Sequence, residues 1–436
     1  MSKRVNFLKR VRHRHGGAAR AWQGMMTGRG SSLAYIADVA LTDWGGGQTS
    51  AALTLFDEST ASTSRERGTC SPVRVQDRVL HPTAVFDTYW RFAAARQAIY
   101  LARLRQEPSP SSQDAILRNH RFTNVFRASD RISQFLISSV QRGPGSSCEP
   151  NDLVFRTLLF KVFNRQDTWR HIESRVGPVR WSTYDFGAYR RALDEAAERG
   201  PIYSAAYLMP PPHLGEDRKH ANHLRLLESM MEDGFVAKLL SSPTLKSVFE
   251  RLASYPGLGP FLAFQYAIDL NYSEVLQFDE DDFVVAGPGA KDGIRKCFGR
   301  EATGIEADVI QYMVDNQEQH FDRLGVSFPG LFGRRLHLID AQNLFCEVDK
   351  YARVRHPEVA GISGRSRIKQ KFRVAGPLAT PAFPERWGLN SAVAANLSIL
   401  DDFDGSTVEV HAQSAPSVVA QVSPRRVARQ DCLLPF

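Results

Sequence analysis

A Gly-x-Gly step between two helical patterns constrains this chain more than any other feature. The segment reads Tyr255-Pro256-Gly257-Leu258-Gly259-Pro260-Phe261. Before it, Leu245, Val248, Phe249 and Leu252 recur at helical spacing, with Ser242 suited to cap that helix and Pro243 to its first turn. After it, a second helix is expected from Pro260 through Phe261, Leu262, Phe264, Tyr266, Ala267 and Ile268. Two glycines let the backbone turn tightly and approach a ligand with no Cβ in the way. The free amides at the second helix's start suit a phosphate. Twenty residues past Gly259, Asp279 opens the acidic run Asp279-Glu280-Asp281-Asp282. An ordinary helical turn followed by an acidic loop fits the same residues, so the pattern alone leaves both readings open.

Composition narrows the function classes. At 436 residues with 43% hydrophobic content, the chain can bury one large core or two ordinary ones. It has no apolar run long enough to span a bilayer and no apolar signal core at its N-terminus, so no membrane partner is expected. The five cysteines are scattered and form no Cys-x-x-Cys, which predicts neither a metal site nor a disulfide framework. An intracellular, reduced setting follows, the nucleus in a eukaryote and otherwise the cytoplasm. A net charge of +8 favours a polyanionic partner. Residues 1–30 hold eight Lys/Arg and no acid, which suits an arm on nucleic acid, an import signal or a solubilising tail alike.

Three regions are expected: a basic, loosely ordered extension over 1–80, a helical domain over 81–375, and a disordered Ala/Ser/Val/Pro-rich tail over 376–436. Within the domain, Phe86 to Leu104 reads as one amphipathic helix, Phe122 to Val140 as a second, and Asp152 to Asn164 as a buried one. Further helices are predicted over 187–199, 219–240, 305–324 and 336–353. Arg365, Arg367, Lys369, Lys371 and Arg373 alternate along a basic ribbon.

Several constellations could carry chemistry. On the helix over 336–353, Asp340, Asn343, Glu347 and Lys350 are spaced to share one face, which fits either proton exchange with an amine or a solvated face with a Glu–Lys pair. Asn124, Arg127 and Arg131 are expected on one face of the 122–140 helix with Asp130 alongside. That stripe fits a bidentate grip on phosphate, with Asn124 on a base edge or a carboxylate, or else an internal Asp130–arginine network. Gly287 and Gly289 with Lys291 could form a phosphate nest at a helix start. Gly-Lys-Ser/Thr is absent, so no Walker A loop is present. The twelve histidines show no metal spacing, and no cofactor is expected.

Together these segments resemble a known superfamily. Phe86-Asp87-Thr88-Tyr89-Trp90-Arg91-Phe92 is similar to its opening helix, and Phe122-Thr123-Asn124-Val125-Phe126-Arg127 with Asp130-Arg131 to its next signature. Gly257-Leu258-Gly259-Pro260-Phe261 with Gln265 and Asp269-Leu270, followed by Gly287-Pro288-Gly289-Ala290, resembles its hairpin and glycine loop. Asp340-Ala341-Gln342-Asn343 with Cys346-Glu347 and Lys350-Tyr351 resembles its closing helix. The family is the alpha-glutamyl/putrescinyl-thymine pyrophosphorylases, or amino acid:DNA transferases, including the helical domain associated with 5-hydroxymethyl-deoxyuridine DNA kinases. The resemblance covers roughly 84–355. The interval from Gly259 to Asp279 resembles that between hairpin and catalytic aspartate in helix-hairpin-helix DNA glycosylases.

The resemblance implies an all-α, helix-hairpin-helix DNA glycosylase-like domain acting in thymine hypermodification. An amine or amino acid would displace pyrophosphate from an activated 5-hydroxymethyluracil flipped from duplex DNA. In that scheme Arg127, Arg131 and Lys291 would stabilise the pyrophosphate, and Asp279 or Glu347 would accept the amine's proton. Lys350 would orient a carboxylate, and the Gly257 and Gly259 amides would hold the DNA backbone. A monofunctional glycosylase using Asp279, and a non-catalytic module partnering a 5-hydroxymethyl-deoxyuridine DNA kinase, are the rival readings.

Overall fold

The computed structural model describes residues 70–107, 112–143, 145–373 and 376–401. The basic arm over 1–30, the Ser/Thr-rich stretch after it and everything past 401 lie outside the described residues.

The chain is mostly helical. A two-stranded antiparallel hairpin, β1 (Val73–Val75) and β2 (Arg78–Leu80), precedes the helices. Its apolar side chains Val73, Val75 and Leu80 are buried, and Arg78 donates to the carbonyls of Glu301 and Thr303. The end of the expected extension is therefore part of the packed body. Helix α1 (Ala84–Leu104) follows, capped by the Thr83 hydroxyl, which accepts from the Val85 amide. It buries Phe86, Tyr89, Trp90 and Phe92, so it is a core helix and not a half-exposed one.

The expected helix over 122–140 does not form as one piece. After the short α2 (Ala115–Asn119) the chain runs irregularly to a single 3₁₀ turn at Arg127–Ser129, and only then enters α3 (Arg131–Phe135), continued by a π-type turn to Gln141. Distant groups hold residues 123–127 out of helix. The Thr123 amide donates to Glu347, the Asn124 amide to Asp130, and the Arg127 amide to Asp340. The Arg127 amide is one that a helix starting at Phe122 would have used internally, and the Thr123 and Asn124 amides are tied to side chains instead of opening such a helix.

Next come α4 (Pro150–Phe163), almost wholly buried, then α5 (Gln166–Val176) and α6 (Phe186–Arg199). The stretch expected as one helix over 219–240 breaks at Gly234, φ +69°, into α7 (Lys219–Glu232) and α8 (Phe235–Leu240). The hairpin helices are α9 (Leu245–Ala253) and α10 (Pro260–Asn271). Thr244, not Ser242, caps α9 in a reciprocal pair with Ser247. Ser242 instead donates to the Lys238 carbonyl and accepts from Arg251.

Helices α11 (Pro288–Phe298), α12 (Glu306–Asp315), α13 (Gln317–Arg323) and α14 (Leu338–Arg355) close the body. α11 and α14 touch backbone to backbone. A Cβ added to Gly293 would lie 2.1 Å from the Phe345 carbonyl oxygen. The residues after 376 also pack. Phe383 is buried and stacks on Trp387, and the buried Glu280 carboxylate takes the Trp387 indole N–H and the Arg386 guanidinium, with Arg334 on its other oxygen. Helix α15 (Leu389–Asp401) continues from there. Part of the stretch expected as a disordered tail from 376 is therefore packed, because Ala/Val-rich letters hid two aromatic anchors and a buried acid that receives them. Among the described residues, no helix is long and apolar enough to cross a membrane.

Candidate functional site

The hairpin forms as its glycines require. Gly257 has φ +86°, and a Cβ there would approach the Pro210 carbonyl oxygen at 3.0 Å. Gly259 caps α10, and the first intrahelical bond runs from the Ala263 amide to the Gly259 carbonyl. The amides of Phe261 and Leu262 precede that bond, and a Cβ on Gly259 would meet nothing within 4 Å. The second helix thus presents an open, uncapped N-terminus.

Asp279 is not beside that turn. Asn271, the last residue of α10, exchanges both amide bonds with the backbone of Phe278, at 3.0 Å each. Asp279 follows immediately, so it lies at the opposite end of a 12-residue helix from Gly259, about 18 Å along its axis. Its exposed carboxylate accepts from the Asp281 amide at 2.9 Å. The chain meets the hairpin helices again at Phe283, whose ring packs on Phe249 and Phe264, and reaches the first turn of α10 at Gly287, where a Cβ would lie 2.5 Å from the Phe261 ring. The acidic run is used as staples. Glu280 holds the C-terminal segment, Asp281 accepts from the Leu338 amide at the start of α14, and Asp282 accepts from the Leu245 amide at the start of α9.

Asp279, Asp281 and His337 bring ligand atoms within 4.8 Å of one another. Both Asp281 oxygens are already engaged, one by Leu338 and His337 and the other by Arg335. Those partners account for Asp281 without an ion.

Asn124, Glu347 and Lys350 do come together, but as an internal knot. The Glu347 carboxylate accepts from the Thr123 amide at 2.9 Å and pairs with Lys350 at 2.7 Å. Asn124 donates from its side chain to the Ser129 carbonyl, accepts from Arg96, and its own carbonyl accepts from Asn343. Asp130 beside them is raised to about 7, because burial and the neighbouring Glu347 charge outweigh the Asn124 amide and Arg96. Glu347 is nine positions past Leu338, where Asp281 docks, or about 14 Å along α14. Asp279 and Glu347 therefore belong to different ends of the helix.

Arg127 is buried and committed. Its Nε donates to Gln265 at 2.9 Å and its Nη1 pairs with Asp269 at 2.7 Å, so it is not a surface grip for phosphate as expected. Arg131 and Lys291 are exposed, on α3 and α11. Gly287 and Gly289 back onto Phe261 and Cys346 respectively, so they serve close packing more than an anion nest.

Sequence reasoning missed the group that Arg127 enters. Lys161, from the apolar run of α4, is buried and pairs with the second Asp269 oxygen at 2.7 Å. Burial pulls Lys161 down to about 8 although Asp269 works against it, and the Arg127 charge adds to the fall. Burial alone would push the Asp269 carboxyl up, but Arg127 and Lys161 outweigh it and hold it below its ordinary value. The trio holds two cations and one anion. Phe261, Gln265 and Asp269 are spaced four apart on α10 and so form one face, with Gln265 reaching Gln342 on α14 at 3.4 Å. The signal available was that spacing of polar residues within an otherwise apolar helix.

A model of the family described as 5-hmdU DNA kinase, helical domain, matches residues 83–361. A 5-hmdU DNA kinase of Bacillus phage SP10 is 24% identical over 288 residues, covering 61% of this chain and 45% of the phage protein. The chain thus matches less than half the length of that relative. No solved structure matches.

Proposed function

The chain belongs to the 5-hmdU DNA kinase helical-domain family, and from that premise we propose that it handles 5-hydroxymethyluracil-bearing DNA in thymine hypermodification. The reaction we favour is displacement of pyrophosphate from the activated base by an amine or amino acid. The amine lone pair attacks the 5-methylene carbon, the carbon–oxygen bond breaks, and pyrophosphate leaves with the bonding pair. The new ammonium then sheds its proton to pyrophosphate or water.

The observation that carries this reading is the Arg127–Asp269–Lys161 trio, an excess cation buried against the hairpin's second helix. Fixed positive charge in a dry site favours an anionic leaving group far more than the same charge in water does. Duplex contacts would come from the open hairpin amides and from the ribbon of Arg365, Arg367, Lys369, Lys371 and Arg373, all exposed. Its buried Ile368 and a backbone pairing with Asn119 and Arg121 fix the ribbon to the body. Asp279, Glu347, Lys350 and Asn124 serve in this reading as framework, with Arg131 and Lys291 as outer phosphate contacts.

Purified protein given a duplex with pyrophosphorylated 5-hydroxymethyluracil is expected to release pyrophosphate only when an amine such as putrescine or glycine is supplied. Absence of release with every amine, alongside intact duplex binding, overturns the transfer reaction. That outcome would favour a non-catalytic module serving a kinase. Abasic sites in place of released pyrophosphate would mean a glycosylase.

A further inference from the structure

Tyr207 is one of the few non-glycine residues with positive φ, +58°, and it sits in the loop between α6 and α7. A bulky side chain adopts that conformation only when its surroundings fix it there. What fixes it is the hairpin region. The Tyr207 ring stacks on Phe261 with centroids 5.9 Å apart and planes 14° from parallel, and the Lys161 ammonium lies 4.3 Å from its centroid. Two residues on, Met209 and Pro210 press against Gly257. Burial, opposed by the Arg127 charge and reinforced by Asp130, Asp269 and Cys346, raises the Tyr207 hydroxyl to about 12. Yet the residue as a whole is only half-buried, and Leu208 beside it is 59% exposed. Tyr207 is thus a plug set into the surface from a loop.

We infer that Tyr207 fills a slot for a pyrimidine base carrying an anionic group on its 5-methylene, and that the base enters as the tyrosine swings out. The slot has what such a ligand needs. Phe261 offers an aromatic face that stacks equally on a phenol or a pyrimidine. Gln265 and Gln342, on facing helices, bring amide groups of the kind that read a base edge. Lys161 and Arg127 together outnumber Asp269, so the site has a positive charge that the phenol leaves uncompensated and a phosphate would match. This inference rests on the proposed function, since it names where that substrate's base would sit.

The test uses the full chain and a free nucleoside, 2′-deoxyuridine bearing a phosphate on a 5-methylene oxygen, measured by calorimetric titration. Tyr207→Gly removes the plug and takes the +58° backbone without strain, so the fold is retained. Its affinity for the phosphorylated nucleoside is expected to exceed that of the unsubstituted protein by on the order of tenfold. Tyr207→Phe, which keeps the ring, is expected to leave it unchanged. Adding Lys161→Met to Tyr207→Gly should abolish the preference for the phosphorylated over the unphosphorylated 5-hydroxymethyl nucleoside. An affinity no higher in Tyr207→Gly, with its thermal unfolding intact, overturns the slot. So does an equal gain in Tyr207→Phe. Duplex binding by the unsubstituted protein is measured in parallel: a protein that binds duplex but shows no gain refutes the slot alone, and one that binds neither refutes the proposed function as well.

Discussion

The knot around Asn124 and the trio beneath the hairpin are both buried polar clusters, yet they are balanced differently. Around Asn124, backbone amides of an irregular segment meet side chains that match them, and Glu347 has Lys350 as its counter-charge. Beneath the hairpin, two cations share one carboxylate, and a strained tyrosine from a loop covers them. A cluster whose donors and acceptors close on one another specifies a fold. A cluster with charge left over, covered by a loop side chain, is where we propose that a ligand binds. The sequence invites the opposite assignment, because Asn124, Glu347 and Lys350 stand out as a polar stripe while Lys161 hides among Leu158, Leu159, Phe160, Val162 and Phe163.

The contrast can be broken most forcefully at Asp269. Asp269→Ala leaves Arg127 and Lys161 buried without their counter-charge, and is expected to destabilise the protein by about 3–5 kcal/mol in chemical denaturation. A loss well below that range would mean that solvent already reaches the trio. A second substitution tests the frame between the two clusters. Gly293→Ala forces a methyl group onto the Phe345 carbonyl and should cost about 1–3 kcal/mol by separating α11 from α14.

A pH-dependent effect, with a definite sign, belongs to Asp130. Its folded pKa is raised from 3.8 to about 7, so the folded state holds the proton more tightly than the unfolded one. The stability this contributes is complete below about pH 4 and is lost as pH rises through 7. Asp130→Asn, which keeps an acceptor for the Asn124 amide, should therefore equal the parent near pH 4 and exceed it by up to about 4 kcal/mol at pH 8. A difference that shrinks with rising pH would contradict the burial argument. The smallest effect is expected at Lys350→Met, about 1–2 kcal/mol, because Glu347 loses its counter-charge but keeps the Thr123 amide, and the methionine keeps the stem packed on Phe122.

Much of the fold is legible from the residues. Helical periodicity locates α1, α4, α6, α9, α10 and α14, and Gly-x-Gly locates the turn between α9 and α10. The breaks at 123–130 and the packed segment after 376 are not legible, because their causes are non-local: Glu347, Asp340 and Glu280 supply acceptors from far along the chain. Asp279 shows the limit of a spacing argument. Twenty residues is the right interval for a return to the hairpin, but Asn271 pins the chain at the far end of α10, and the first turn of that helix is reached only at Gly287. Tyr207 carries no signal in the sequence at all, since nothing in its neighbours announces a left-handed backbone.

The most direct test compares the two clusters in one assay. Single-turnover release of pyrophosphate, with amine saturating, is measured for Lys161→Met and Lys350→Met beside the parent protein. A centre at the hairpin predicts a fall of at least about a hundredfold for Lys161→Met, as when a preorganised charge is removed from a developing anion, and a rate within about twofold of the parent for Lys350→Met. The reverse pattern, with Lys161→Met active and Lys350→Met silent, would place the chemistry on α14 and contradict the account.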